Sequence, residues 1–96
     1  MKRRVRVRAS FLSDVHAQIR WLREHGSDTD VAGLRAGIRE ARSLLGQFPT
    51  AGPVERDVGE HSLRKLLLRR IPFVIWYVDD GANIWLLRLF HARQER

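Results

Sequence analysis

The sequence predicts an α+β fold with the element order β-α-α-β-β-β, a helical hairpin packed on one face of a small, mainly antiparallel sheet. Three observations lead there. The last third holds three apolar runs rich in β-branched and aromatic residues, with Asp80-Gly81 between the last two, a strong short-range hairpin signal. Upstream, two stretches place apolar residues at helical spacing. Near the start, Arg4-Val5-Arg6-Val7-Arg8 alternates cation and β-branched residue, as a half-buried strand does.

The first helix is expected near Ser10 to Glu24. Ser10 offers an N-cap, with Ser13 as the alternative, and Leu12, Val15, Ile19 and Leu22 recur at helical spacing with Phe11 beside them. Gly26 supplies the stop, and Ser27-Asp28-Thr29-Asp30 brings hydroxyl and acidic caps for a second helix over 28–47. That helix carries one apolar seam: Val31, Leu34, Ile38, Ala41, Leu45 and Phe48. Gly33 and Gly37 sit inside it, each costing about 1 kcal/mol relative to alanine. Close approach to the first helix would offset that cost; simple tolerance by the surrounding packing is an equal alternative. Pro49 ends the helix and Gly52-Pro53 marks a turn. Val54 to Ser62 is polar and aperiodic, and reads as a surface loop with at most a short helical turn. Strands are expected over Leu63 to Arg69, Phe73 to Asp79 and Asn83 to His91.

Length and composition narrow the function. Ninety-six residues make a single domain, 1–96, with a small core. With no cysteine, disulfides, thiolate metal sites and thiol chemistry are excluded, and a cytoplasmic setting is expected. No long apolar run follows the basic start, so neither a signal peptide nor a membrane span is expected. The net charge is +7, and all the cationic side chains except Lys2 and Lys65 are arginines. Arginine keeps its charge and grips carboxylates and phosphates with two parallel hydrogen bonds. The excess gathers at Lys2, Arg3, Arg4, Arg6 and Arg8, at Arg64, Lys65, Arg69 and Arg70, and at Arg88, Arg93 and Arg96. Such a surface fits nucleic acid or an acidic protein, and it also serves plain solubility.

The late strands are apolar on both faces. Phe73, Ile75 and Tyr77 alternate with Val74, Trp76 and Val78; Ile84, Leu86, Arg88 and Phe90 alternate with Trp85, Leu87, Leu89 and His91. One helical hairpin covers one face, so the other would expose more apolar surface than a soluble monomer usually carries. A partner is expected there, unless the polar segment after Val54 folds across it.

The stretches Phe48-Pro49-x-x-Gly52, Leu66-Leu67-Leu68-Arg69-Arg70-Ile71-Pro72-Phe73-Val74-Ile75-Trp76-Tyr77 and Leu87-Arg88-Leu89-Phe90-His91-Ala92-Arg93-Gln94, together with the element order, resemble the RelE/ParE superfamily of type II toxin–antitoxin toxins. Departures are Gln94 for the second arginine of the family's tail, Ile71 for a phenylalanine, and Pro53 for an arginine after Gly52. The resemblance implies a RelE/ParE-like fold and an antitoxin whose acidic, amphipathic C-terminal segment wraps the toxin. For antitoxin contact it points to Arg4, Arg6, Arg64, Arg69, Trp76 and Trp85.

The superfamily has two functional branches. RelE-like members cleave mRNA on the ribosome without a metal, using cations to stabilise the phosphorane and an acid–base pair to move protons. Lys65, His91 and Arg93 match candidate positions for that chemistry. However, Val74 stands where that branch usually has an arginine, and the sequence reaches Arg96 without its late tyrosine. ParE-like members bind and poison DNA gyrase, and the His91-x-Arg93 tail and Pro72-Phe73 before a Trp-Tyr strand are closer to that branch. Target contacts are then expected from Arg64, Arg69, Arg70, Arg88, His91 and Arg93. The leading expectation is a gyrase-binding toxin that forms a hetero-oligomer with its antitoxin. A ribosome-dependent endoribonuclease and a non-toxic member that only binds an antitoxin-like partner are the alternatives.

Other chemistries lack support. His16, His25, His61 and His91 are scattered without metal-ligand spacing, so no metal or other cofactor is expected. No glycine-rich phosphate loop or nucleophile elbow occurs, and Asp79-Asp80 reads as a turn.

Overall fold

The computed structural model describes residues 2–94; Arg96, counted above with the basic tail, lies outside them. The elements are β1 (Arg4–Val7), α1 (Ala9–His25), α2 (Asp28–Gln47), β2 (Val54–Val58), β3 (His61–Leu67), β4 (Phe73–Asp79) and β5 (Asn83–His91). The sheet order is β1-β5-β4-β3-β2, antiparallel throughout except for the parallel pair of β1 with β5. The α1–α2 hairpin supplies Phe11, Ile19, Leu22, Val31, Leu34, Ala41 and Leu45 to a core completed by Phe73, Ile75, Tyr77, Ile84, Leu86 and Leu89 from the sheet.

Most expected elements stand, and four details differ. Val54 to Ser62 is not a loop: β2 and β3 form a hairpin turning at Gly59, whose φ of 62° suits glycine. Every residue of β2 is solvent-exposed, so no apolar core contact holds it; ladder bonds to β3, with the Lys65–Glu55 ion pair and the Ser62–Asp57 hydrogen bond, do. This hairpin extends the sheet in its plane and does not cover its open face.

Ser10 is not the cap of α1. Arg8 holds that position without a side-chain bond, while the Ser10 hydroxyl donates to the Leu87 carbonyl at 2.6 Å. By contrast, Ser27 forms a full capping box with Asp30, each side chain accepting from the other's backbone N–H.

The glycines of α2 do not bring the helices together. A Cβ on Gly33 would meet nothing within 4 Å, whereas one on Gly37 would sit 3.2 Å from Leu68 Cδ1. Gly37 therefore admits the segment between β3 and β4, not α1.

The fourth difference lies in β5. Trp76 pairs with Arg88 while Tyr77 pairs with Leu86, so Leu87 is an extra residue in a bulge. Past it the alternation resets. Leu89 joins Ile84 and Leu86 in the core, and Arg88 and Phe90 move to the open face with Trp85 and Trp76.

Candidate functional site

The motif Phe48-Pro49-x-x-Gly52 anchors one edge of the site. Tyr77, buried beneath it, donates its hydroxyl hydrogen to the Pro49 carbonyl at 2.8 Å and accepts from the Gly52 N–H at 2.9 Å. Burial pushes the Tyr77 phenol above its ordinary value, against the opposing Gly52 hydrogen bond and Arg64 charge. A Cβ on Gly52 would lie 2.4 Å from the Lys65 carbonyl oxygen, so only glycine lets the loop lie this close to β3. Arg64 closes the same joint, donating to the Gly52 carbonyl at 2.8 Å and to the Thr50 carbonyl at 3.4 Å.

Next to this joint the sheet has an open edge. β2 stops at Val54, opposite Arg64, so Leu66 to Leu68 run on without a neighbouring strand on that side. Between this edge and α2 lies a groove of about 530 Å³, lined by Gly37, Ala41, Leu44 and the three leucines together with Glu40, Arg69 and Arg70. Leu44 is 38% and Leu67 61% exposed. Arg70 is paired with Glu40 at 3.1 Å across the mouth. An amphipathic segment with apolar anchors and carboxylates is the complement of this groove.

The open face of the sheet is a second surface. Its rows are Leu63, Val78 and Trp85; Lys65, Trp76 and Arg88; and Leu67, Val74 and Phe90. Cations lie over the aromatic rings: the Arg8 guanidinium carbon is 4.4 Å and that of Arg6 5.9 Å from the Trp85 ring centre, and that of Arg88 is 5.0 Å from Phe90. Trp85 is further held by its indole N–H to Asp80 at 2.9 Å. The face is thus apolar, but guanidinium groups stacked on Trp85 and Phe90 reduce what water sees.

The expected site residues fall into three groups. Arg4, Arg6, Trp76 and Trp85 share the open face. Arg69, Arg70, His91 and Arg93 share one end of the sheet, where the Ala92 N–H donates to the Pro72 carbonyl at 2.7 Å and Phe73 pairs with His91. Arg64 and Arg88 have structural tasks. Arg88 binds Asp14 with two bonds of 2.7 and 3.1 Å, and the hydrogen bond to Asp14 raises its pKa further.

Of the nuclease candidates, His91 and Arg93 lie together and Lys65 lies apart from them. Lys65 pairs with Trp76 on the open face and forms an ion pair with Glu55 at 3.2 Å. His91 packs edge-on against core Phe73, on the helix face, and its Nδ1 accepts the Arg93 N–H at 3.1 Å. Val74 is 6% exposed. Among the described residues no His, Asp or Glu cluster suited to a metal ion occurs.

Sequence reasoning missed Leu44, Gly37 and Leu67 as groove residues and Asp14 as a keystone. For Leu67 the signal was one of exposure: in a strand, the middle of three consecutive leucines faces away from the other two, and Leu67 is 61% exposed. Asp14 carried none, since its partners are 74 and 75 residues away.

The family model for "ParE toxin of type II toxin-antitoxin system, parDE" matches residues 5–96. The chain is similar to a solved structure titled "Chromosomal ParDE TA system from P. aeruginosa", with a TM-score of 0.70 and 21% identity over 94% of this chain and 96% of that one. That likeness is one of fold. No curated protein matches.

Proposed function

The chain belongs to the ParE toxin family of type II toxin–antitoxin systems, and from that premise we propose that it acts by binding DNA gyrase and is held inactive by a cognate antitoxin. The observation that carries the target reading is the separation of Lys65 from the other nuclease candidates: Lys65 and His91 lie on opposite faces of the sheet, and a buried Val74 stands where a phosphate would need a cation. A binding toxin needs no such constellation. Its target contacts are Arg69, Arg70, His91 and Arg93 at one end of the sheet, which offer charge for an acidic surface. The antitoxin segment occupies the α2–β3 groove, with apolar side chains on Leu44 and Leu67 and carboxylates toward Arg69 and Arg70.

Purified chain added to gyrase should inhibit supercoiling or trap DNA breaks, and should leave ribosome-bound mRNA intact. His91→Ala should change potency by less than about 10-fold, whereas removal of a general acid or base costs roughly 100-fold or more. Reversal of Arg69 and Arg93 together should weaken gyrase inhibition more than His91→Ala. A-site mRNA cleavage that disappears in His91→Ala would overturn the proposal in favour of an endoribonuclease.

A further inference from the structure

The arginines of the helical hairpin take no part in either surface above. A cleft of about 470 Å³ between α1 and α2 is lined by His16, Ile19, Arg20, Arg23, Glu24 and Arg35. Arg20, Arg23 and Arg35 are exposed and form no ion pair or side-chain hydrogen bond among the described residues, unlike Arg3, Arg64, Arg70 and Arg88. Arg20 and Arg23 are three apart on α1 and so share a face, and Arg35 meets them from α2. Glu24 is the one acid in the lining.

We propose that this cleft binds the phosphate backbone of duplex DNA. One feature favours DNA over an acidic polypeptide. Peptide recognition rests on apolar anchors in a pocket, and the only apolar lining residue here, Ile19, is 9% exposed. The α2–β3 groove, with Leu44 and Leu67 open, has what this cleft lacks. Unpaired guanidinium groups around a cleft whose one apolar side chain, Ile19, is buried suit a ligand gripped through regularly spaced charge, and planar guanidinium forks match phosphate oxygens. The net charge of +7 adds long-range attraction. The cleft shares no lining residue with the α2–β3 groove, so DNA binding and occupancy of that groove are compatible.

The test is binding of the full chain to a short fluorescein-labelled duplex across a salt series, without gyrase, so that its outcome is independent of the target reading. Arg20→Gln with Arg35→Gln should lower the slope of log K against log salt by about 2, at ~0.9 for each phosphate no longer neutralised. Lys2→Gln with Arg56→Gln removes the same net charge elsewhere and should leave the slope within about 0.5 of the parent. Arg20→Lys with Arg35→Lys should restore the parental slope. Equal decreases in the two glutamine variants would reduce the effect to net charge and overturn the proposal. So would an equal drop in affinity for labelled poly-glutamate in the helix variant, which would assign the cleft to an acidic polypeptide.

Discussion

Single side chains at the joint beneath Gly52 carry much of the local stability. Tyr77→Phe leaves the Pro49 carbonyl and Gly52 N–H without a partner in a buried place, and should cost about 1–3 kcal/mol by urea unfolding. The same residue sets an alkaline limit. Its phenol is raised above 10.0 in the folded chain, so its contribution is complete below the unfolded value and is lost as pH rises through the folded one. Tyr77→Phe should flatten stability against pH in that window. At the other end, Asp80 is lowered to about 2, first by the Asn83 N–H, then by the Ala82 N–H and the Trp85 indole. Its contribution is present above the unfolded value of 3.8 and fades as pH falls toward 2. Gly52→Ala, with a Cβ forced against the Lys65 carbonyl, should destabilise by roughly 1–3 kcal/mol or more and loosen the wall of the groove.

Among the elements, β5 depends on α1 where β1 has run out. Past Leu86, its edge is served in turn by the Arg8 N–H on the Leu86 carbonyl, the Ser10 hydroxyl on the Leu87 carbonyl, and the Asp14 carboxylate on the Leu89 N–H at 2.9 Å. Asp14→Ala should strand both Leu89 N–H and Arg88. Amide exchange at Leu89 should then accelerate by about 10-fold or more, at ~1.4 kcal/mol per tenfold change, within the range for an orphaned buried donor. Unchanged protection would show that the ladder to β4 suffices. The β2–β3 hairpin is the opposite case. β2 is exposed along its whole length, so its amides should exchange well before those of β4.

For the whole molecule, the consequence of the fold is exposed apolar surface at the α2–β3 groove, where Leu44 and Leu67 are open, beside a sheet face whose aromatic rings are half-buried. The chain alone should therefore aggregate at concentrations where a complex with an antitoxin segment stays dispersed, as read by light scattering. Leu44→Asp with Leu67→Glu should reverse this, improving the free chain and reducing antitoxin affinity by at least roughly 100-fold, since two apolar anchors are removed and charge is buried against Leu68. Parental affinity in that variant would place the antitoxin elsewhere. Among the described residues no helix is long and apolar enough to cross a membrane.

The fold class, every element except β2, the bounds of β4 and β5, the caps over Ser27–Asp30 and the family resemblance were legible because they rest on neighbours in sequence: alternation, helical spacing, caps and turn residues. What the tertiary structure alone decided rests on partners far apart along the chain. β2 has no apolar pattern and exists through its ladder to β3. Gly37 serves Leu68, Arg64 serves the Gly52 loop, and Asp14 claims Arg88, so two expected partner-binding cations have structural tasks. The bulge at Leu87 exchanges which residues of β5 face the helices, a change that strict alternation does not foresee. Sequence spacing reports which side chains can share a face; which of them are spent on the fold depends on packing between elements, and there the arginines left over for a partner were separated from the rest.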